Sequence, residues 1–314
     1  MTGDPLRIVG FDEADRLLSW RSVVDALAEG HRAAAPEIGD LLIGRGENKL
    51  LSRAAWIDGL GIALKSVTVF PDNPRAEPPR PSVQGSVLLF DPQSGAPRAV
   101  IDGPLVTKWK TVGDSLLGAS LLARPEPKTL LVCGAGTVAG QLAEAYPAVF
   151  ASITTILVWN RTSARAEELA ASLKGSGIDV RVAADLAEAA AAADIVATAT
   201  MASEPFLRGA WLSPGTHVDL IGAFTPTMRE ADDALLERGE IFVDSRKTTI
   251  GHIGEIEIPL RAGTIGEADI RGDLYDLVAG RAGRSGPEAI TVFKNGGGAH
   301  LDLMVAELIA RRLA

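Results

Sequence analysis

The sequence predicts an α/β fold in which a doubly wound parallel sheet is inserted into a split α+β domain. From Lys128 onward, short apolar runs alternate with helical patterns, which is typical of a parallel sheet covered by helices on both faces. A glycine turn, GAGTVA, joins the first of these runs to its helix. More than a hundred residues precede this turn and one more helix ends the chain, which indicates that the sheet interrupts another domain.

The first segment of the chain predicts the smaller α+β unit. Residues 13–35 place apolar side chains at helical spacing, which predicts one or two helices. After the glycine-rich IGDLLIGRGENK, three runs predict strands: KLLSRAAWI, GIALKSVTVF and GSVLLFD. A Pro/Gly/Ser turn then leads to a further short strand. The stretch from Thr107 to Pro125 predicts one helix that the proline ends.

The remaining sequence predicts the inserted sheet and its exit. The predicted strands are TLLVCG, TTILVWN, DVRVAA, DIVATAT, THVDLIGAF and IFVDS, with helices after the earlier ones. The C-terminal stretch predicts a strand, a glycine-rich bend and an amphipathic helix. Packing of this helix against the first segment would make residues 1–115 and 296–314 one domain and residues 116–295 the other.

Composition excludes several classes of function. The 314 residues carry a net charge of −9, which argues against nucleic acid or an anionic membrane as a partner. No apolar run is long enough to cross a membrane, and the acidic N-terminus lacks the apolar core of a signal peptide. A single cysteine, Cys133, fits a reducing cytoplasm. The four histidines lack metal-ligand spacing, so we expect no metal site.

The glycine turn is the strongest functional signal. Gly134 permits a tight turn, Gly136 lets a pyrophosphate approach the backbone, and Ala139 lets the helix lie against the strand. The helix beginning at Thr137 and Val138 offers free N–H groups to phosphates. With a strand before it and βα units after it, the turn predicts a Rossmann-type dinucleotide site.

The end of the second strand predicts which dinucleotide binds. An acidic residue there usually holds the ribose 2′-hydroxyl of NAD. This chain has Asn160, Arg161 and Thr162 instead, with Arg165 nearby. An arginine gives charge-assisted hydrogen bonds to a 2′-phosphate, so we predict that NADP(H), with NADPH as the reduced form, is preferred over NAD.

Later strand ends are expected to reach the nicotinamide, because ligands bind at the carboxyl edge of such sheets. The predicted cofactor residues there are Ala199, Thr200, Met201, Gly222, Ala223 and Asn295. For the small residues among them, tight packing at strand ends is an equally good interpretation.

Eight stretches in this order resemble the ornithine cyclodeaminase/mu-crystallin family over nearly the whole chain. They are LKSVTVFPDNP, SVQGSVLLFDPQSGAP, KTVGDSLLGASLLARP, CGAGTVA, VWNRT, GAFTPTMREADD, FVDSR and TVFKNGGGAH. The resemblance implies a homodimer, with a split substrate-binding and dimerisation domain around a Rossmann domain. This family contains lyases, reductases and non-catalytic binders, so the site residues must decide among them.

Two departures from the family's lyases favour a reductase. Ornithine cyclodeaminases have an aspartate in a GDxPGK-like segment that handles the substrate amine, and Phe224 stands at that position here. Those lyases also tend to retain NAD and to carry an acid at the end of the second strand, where this chain has Arg161. Exchangeable NADPH suits a net reduction.

The resemblance also implies a substrate site. Lys65 matches the family's substrate lysine, and Arg45 matches its carboxylate-binding arginine. Ser82 and Gln84 would line the cleft, Gln84 towards the substrate and Ser82 towards the cofactor. Lys110 stands where the family usually has an arginine, and we place it beside both substrate and cofactor, with Thr111 beside the cofactor.

Four candidate residues also have structural interpretations. A buried Lys65 needs a partner, which we expect the substrate to supply, although a lysine at a sheet edge would extend into solvent instead. Asp114 follows Lys110 by four residues on one helix face, which predicts either a proton donor in the cleft or a surface ion pair. His300 and Asp302 could close over the nicotinamide, but we expect them to be a helix cap and a core neighbour.

These residues predict an NADPH-dependent reductase of small cyclic imino acids. It would convert Δ1-pyrroline-2-carboxylate to L-proline, or Δ1-piperideine-2-carboxylate to L-pipecolate. Lys65 and Asp114 are the predicted catalytic residues, because the imine accepts hydride better when protonated. The alternatives are ornithine cyclodeaminase, alanine dehydrogenase, and a non-catalytic NADPH-dependent binder of the mu-crystallin type.

Overall fold

A computed structural model describes residues 6–313 and divides them into two compact units. The first unit runs from the start of the described chain to Gly113 and includes the residues from Gly298 onward, and the second is Asp114–Gly297. These divisions lie two residues from the boundaries expected at 115/116 and 295/296. The roles of the first unit in substrate binding and dimerisation stay predictions.

The first unit is a sheet of six strands with helices from both ends of the chain. Its elements are β1 (Arg7–Val9), α1 (Phe11–Asp15), α2 (Trp20–Arg32), β2 (Glu37–Arg45), β3 (Asn48–Ile57), β4 (Gly61–Val69), β5 (Val83–Phe90), β6 (Pro97–Asp102) and α11 (Ala299–Leu313). The strand order is β1-β6-β5-β4-β3-β2, and every neighbouring pair is antiparallel except β1 and β6.

The strand β2 corrects the sequence analysis, which treated IGDLLIGRGENK as a connection. It pairs with β3 along its whole length, from Glu37 opposite Trp56 to Arg45 opposite Asn48. Glycine is depleted in strands because it has no side chain to pack, but β2 lies at the sheet edge, where little packing is required.

One face of this sheet forms the core of the first unit. Its buried side chains are Ala55, Ile57, Ala63, Val87, Leu89 and Ile101. The helix α11 packs across this face and α2 packs against α11. A side chain at Gly30 in α2 would come within 2.5 Å of Met304, so the two helices need a glycine at their crossing. On the opposite face Trp56 is 51% exposed.

The chain passes from the first unit to the second within α3 (Gly103–Leu122). This helix begins four residues before the predicted start at Thr107. Asp102 causes the earlier start, because its Oδ1 accepts a hydrogen bond from the backbone N–H of Leu105 at 2.8 Å.

The second unit alternates strands and helices. Its elements are β7 (Thr129–Cys133), α4 (Thr137–Val149), β8 (Thr155–Trp159), α5 (Ser163–Ser172), β9 (Asp179–Val182), α6 (Leu186–Ala192), β10 (Ile195–Thr198), β11 (His217–Leu220), α7 (Asp233–Arg238), β12 (Glu240–Val243), α8 (Arg246–Thr249), α9 (Gly254–Ala262), β13 (Ile270–Gly272), α10 (Leu274–Val278) and β14 (Thr291–Lys294). The sequence analysis did not predict β13 or the helices α7 to α10.

The strands of the second unit form one parallel sheet, which confirms the predicted Rossmann-type α/β fold class. Their order is β13-β12-β14-β11-β10-β7-β8-β9, and all pairs are parallel. The order reverses between β7 and β10, where such folds bind ligands at the carboxyl ends of the strands. Strands β10 and β11 are buried at every residue because helices cover both faces.

Two further properties concern only residues 6–313. None of their helices combines the length and apolar character needed to cross a bilayer. No group of three His, Cys, Asp or Glu side chains in this range is arranged to hold a metal ion.

Candidate active site

The glycine turn after β7 brings two loops of the second unit close together. Gly134 has φ +123°, and a side chain there would come within 2.5 Å of the carbonyl oxygen of Ala199. Gly136 caps α4, and a side chain there would meet no atom of residues 6–313 within 4 Å. No protein contact therefore requires glycine at this position, whereas close approach of a phosphate to the helix N-terminus would.

A cavity of about 320 Å³ opens beside this turn. The predicted cofactor residues that line it are Gly134, Gly136, Asn160, Arg161, Thr162, Arg165, Ala199, Thr200 and Met201. The lining also includes Ala135, Trp159, Ala202, Glu204 and Phe206, and no role was predicted for Glu204 or Phe206. Trp159 and Phe206 stack with ring centroids 5.3 Å apart. Phe206 lies far from the turn in sequence, so no local pattern indicated it.

The side of the cavity formed by the end of β8 is cationic. Asn160 donates a hydrogen bond to the backbone oxygen of Thr162 at 2.9 Å, which fixes the start of the loop. Arg161 and Arg165 follow with exposed side chains. Glu204 contributes a carboxylate to the same lining. Open space at Gly136, a helix N-terminus and two arginines fit the phosphates of a dinucleotide.

A buried carboxylate that the sequence analysis missed organises the ends of β10 and β11. Glu230 is fully buried and accepts hydrogen bonds from the hydroxyls of Thr198 and Thr200, both at 2.6 Å. It also accepts from the backbone N–H groups of Thr200 and Gly222, at 2.8 and 2.7 Å. This carboxylate therefore fixes the loop that carries Thr200 to the cavity.

Six predicted cofactor residues of the second unit do not line this cavity: Thr137, Val138, Ala139, Gly222, Ala223 and Asn295. A side chain at Gly222 would come within 2.2 Å of the backbone oxygen of Thr200, so the packing interpretation fits this glycine. Ala223 is fully buried in a small cluster with other apolar side chains. Thr137 and Val138 belong to the first turn of α4, outside the lining.

Asn295 directly follows β14 and belongs to a buried network of polar side chains that includes Asp219 of β11. Its side-chain amide donates to Ser115 Oγ at 3.0 Å, and Ser115 donates to Asp219 at 3.2 Å. Tyr146 donates to the other oxygen of Asp219 at 2.8 Å. Burial raises the pKa of Asp219 to about 7, although these hydrogen bonds oppose the rise. The network holds Asn295 in place directly after β14.

Two more buried charges lie beside this network. Lys294 is fully buried and donates to the backbone oxygens of Leu220 and Asn295 at 2.7 and 2.8 Å. Burial lowers its pKa, while Glu255 and Glu230 oppose that change. Glu255 accepts from the backbone N–H of Glu230 at 2.8 Å, and burial raises its pKa to about 7. Hydrogen bonds from buried ionisable side chains thus hold the strand ends in place.

In the first unit, Lys65 is buried in the middle of the sheet. It lies in β4, an interior strand, and is 6% exposed, so the interpretation as a sheet-edge lysine is wrong. Its Nζ donates to Thr107 Oγ1 at 2.6 Å and to Asp302 Oδ1 at 2.9 Å. We expected the substrate to supply the partner of Lys65, but the protein itself supplies it.

Asp302 is therefore more than the core neighbour that the sequence suggested. It is 1% exposed and lies in the first turn of α11. Its Oδ1 accepts from Lys65, while its buried Oδ2 has no hydrogen-bond partner among residues 6–313. The ion pair is isolated from water, and its second carboxylate oxygen can still accept a proton or a hydrogen bond.

Further cations surround this pair in the first unit. Arg53 lies directly opposite Lys65 in the β3–β4 register, and Lys110 is 8% exposed. His300 is fully buried, and its pKa is lowered well below 6.5 by burial and, to a lesser extent, by the charges of His31, Lys110 and Arg53. The rings of His31 and His300 meet edge to face with centroids 5.7 Å apart. His300 is a buried neutral side chain in this cationic region.

Several predicted substrate residues do not lie beside Lys65. Arg45 is exposed at the end of β2, next to the hairpin turn. Gln84 pairs with Thr68 and Lys65 pairs with Val87, so alternation places Gln84 and Lys65 on opposite faces of the sheet. The separation of Gln84 from Lys65 could not be predicted from the sequence, because strand register decides on which face of the sheet each side chain lies.

The remaining predicted residues divide between the two units. Ser82 is half-buried just before β5 and Thr111 is half-buried in α3. Lys110 and Asp114 are both buried, so the interpretation as a surface ion pair is wrong. Phe224, at the position of the lyases' aspartate, is 59% exposed in the loop after β11.

Comparison with known proteins finds a family profile and a curated relative that both match most of the chain. A sequence profile of the ornithine cyclodeaminase/mu-crystallin family matches residues 56–314. The chain is 50% identical over 98% of its length to Δ1-pyrroline-2-carboxylate reductase of Paracoccus denitrificans, of which the match covers 97%.

Two solved structures have the same fold over nearly the whole chain. Δ1-pyrroline-2-carboxylate reductase of Thermococcus litoralis, in complex with NADH and L-proline, has a TM-score of 0.89 at 28% identity, covering 98% of this chain and 97% of that one. An archaeal alanine dehydrogenase dimer with bound NAD has a TM-score of 0.90 at 28% identity, with coverages of 98% and 95%.

Breaking the buried ion pair is expected to destabilise the protein. Lys65→Met leaves the carboxylate of Asp302 buried without its partner, which costs about 3–5 kcal/mol. The double variant Lys65→Met/Asp302→Leu removes both charges and should recover most of this loss. Urea unfolding followed by circular dichroism measures both.

The control is Arg75→Met, which breaks the exposed pair of Arg75 with Asp72 and should leave the urea midpoint nearly unchanged. A Lys65→Met protein as stable as the wild type would show that the ion pair does not contribute to the core.

Proposed function

The chain belongs to the ornithine cyclodeaminase/mu-crystallin family, and on that premise we propose that it is an NADPH-dependent reductase of small cyclic imino acids. Its substrate would be Δ1-pyrroline-2-carboxylate, with L-proline as product, and the six-membered analogue is a second substrate of the same class. The observation that carries this proposal is the buried, cation-rich face around Lys65, which suits a small substrate with a carboxylate and an imine. The similarity to Δ1-pyrroline-2-carboxylate reductases supports the same reaction.

The protein's part in this reaction is to hold the substrate and to provide a proton. A nicotinamide cofactor, when bound, would supply the hydride for C2 of the C=N bond. Lys65 carries three N–H donors, and Thr107 and Asp302 occupy two of them, which leaves one for the imine nitrogen. A proton or hydrogen bond at this nitrogen neutralises the charge that develops there.

Lys110 and Asp114 complete the proposed catalytic set. Lys110 is a buried cation in the first unit and would help to hold the substrate carboxylate. Asp114 is fully buried and is our second proposed proton donor. Fixing the substrate in this way lowers the barrier through orientation.

The cofactor is proposed to be a nicotinamide dinucleotide, with NADP preferred over NAD. The cavity in the second unit is lined by Arg161 and Arg165, and none of residues 160–166, directly after β8, is acidic. Two guanidinium groups suit a 2′-phosphate better than a 2′-hydroxyl. The two solved structures described above contain NADH and NAD, so they support the nicotinamide class rather than the preference.

We also propose that two copies of the chain associate through the outer face of the first sheet. Leu41, Ile43 and Trp56 lie on that face and are 56%, 53% and 51% exposed. Leu64 and Leu88 continue the apolar surface towards the sheet centre. A large exposed apolar patch indicates an interface, and the archaeal alanine dehydrogenase with this fold is a dimer. The single cysteine remains our reason to expect a cytoplasmic protein.

Turnover is tested by following NADPH oxidation by the purified protein with Δ1-pyrroline-2-carboxylate. We expect NADPH oxidation and formation of L-proline, with a slower reaction when NADH replaces NADPH. Ornithine alone should release no ammonia, because Phe224 cannot accept a proton. Ammonia and proline from ornithine would establish the lyase instead, ammonia-dependent reduction of pyruvate would establish an alanine dehydrogenase, and NADPH binding without turnover would establish a binder.

The cofactor preference is tested at Arg161. Arg161→Ala removes a charge-assisted contact with the 2′-phosphate, so the KM for NADPH is expected to rise about 10- to 100-fold while the KM for NADH changes little. The matched control is Arg181→Ala, an exposed arginine in β9 that does not line the cavity. Equal effects of Arg161→Ala on both dinucleotides would contradict the proposal.

The proposed dimer is tested by placing charge on the outer sheet face. Leu41→Asp/Ile43→Asp is expected to shift the mass measured by light scattering from two chains to one, because paired burial of these carboxylates is unfavourable. Ile258→Asp, at an exposed apolar position in α9 of the second unit, should leave the mass unchanged. A wild-type protein with the mass of one chain would refute the dimer.

A further inference from the structure

We infer that Arg53, and not Arg45, is the arginine that binds the substrate carboxylate. This inference deepens the proposed function and rests on it. Neither the pattern of the sequence nor the family resemblance assigned a role to Arg53.

Strand register places Arg53 beside Lys65. The two residues are directly opposite each other in β3 and β4, which puts their side chains on the same face with Cβ atoms about 5 Å apart. Asp40 of β2 lies opposite Arg53 on its other side. The three residues form a row across the sheet at the level of the Lys65–Asp302 pair.

Arg45 lies well away from this row. It is five residues beyond Asp40 along β2, which corresponds to about 17 Å of extended strand. It is exposed and pairs with Asn48 at the hairpin turn. Within the first unit, a substrate small enough to bind through Lys65 cannot also reach Arg45.

Arg53 has hydrogen-bonding capacity that the described protein does not use. Its Nη2 donates to Asp40 Oδ2 at 2.7 Å, which holds the guanidinium in one orientation. Its Nε–H is buried and has no hydrogen-bond acceptor among residues 6–313. A buried donor without an acceptor is unfavourable, and a carboxylate is the acceptor that a guanidinium matches best.

The charges around Arg53 also favour an anion. Lys65 is already paired with Asp302, and the charges of Arg53 and Lys110 both reach the buried ring of His300. Asp40 is 44% exposed, so solvent screens the one carboxylate that is paired with Arg53. A carboxylate entering from the side of Lys65 would therefore meet an excess of positive charge.

This arrangement gives the two cations different tasks. Lys65 presents its remaining N–H to the imine nitrogen, while the planar guanidinium of Arg53 binds the carboxylate on the adjacent carbon. Lysine could not replace Arg53 fully, because an ammonium lacks the fixed fork of donors.

The test compares Arg53→Met with the matched control Arg45→Met on two substrates. One is Δ1-pyrroline-2-carboxylate and the other is Δ1-pyrroline, the same ring without the carboxylate. For Arg53→Met, we expect kcat/KM on the first substrate to fall about 10- to 100-fold, mainly through KM, with little change on the second. Arg45→Met should change neither substrate by more than about twofold.

A further variant guards against misfolding of Arg53→Met. Arg53→Lys keeps the charge and is expected to show an intermediate loss on Δ1-pyrroline-2-carboxylate, with an unchanged thermal midpoint. The inference is overturned if Arg53→Lys or Arg53→Met equals the wild type, if both substrates suffer equally, or if Arg45→Met shows the larger loss. A wild-type protein that does not reduce Δ1-pyrroline-2-carboxylate would instead overturn the proposed function itself.

Discussion

The buried ion pair of Lys65 with Asp302 is the interaction on which the first unit depends. Its two residues are 237 positions apart in the sequence, and they join the central strand β4 to the final helix α11. Burying two charges costs free energy that only good geometry recovers, so neither residue is tolerable here without the other. The pair therefore requires the chain to return after the second unit. It also places a fixed ammonium on the face where we propose that the substrate binds.

Local patterns in the sequence were sufficient for most of the fold. The glycine turn, the apolar runs and the proline after α3 each act within a few residues, so spacing alone predicted the parallel sheet and the returning helix. The strand β2 was missed because glycines at its positions suggest a loop, and only pairing with β3 makes it a strand. The helices α7 to α10 are short and depend on the second unit's core for their stability.

The candidate site was predictable where its residues are close in sequence. It was unpredictable where strand register determines which side chains are neighbours. Asn160, Arg161 and Thr162 follow one strand, so their common position in the cavity could be inferred directly. The place of Arg53 beside Lys65 depends on the hairpin between β3 and β4, and a shift of one residue would put it on the other face. Glu230 illustrates the same limit, because the threonine hydroxyls from which it accepts hydrogen bonds lie 32 and 30 residues earlier in the chain.

Reduction and deamination on this fold differ in the charged groups that they require near the substrate nitrogen. A lyase that removes an amine needs a base near that amine, and Phe224 has no group that can accept a proton. The reduction of a cyclic imine has the opposite need, since nitrogen must gain a proton as carbon gains hydride. A buried lysine whose orientation is fixed by Thr107 and Asp302 can meet that need, and neighbouring cations hold the carboxylate. The exchange of one carboxylate for an aromatic ring in the second unit, in a chain whose first unit keeps its buried cations, is therefore a physical basis for a reductase in a family that also contains lyases.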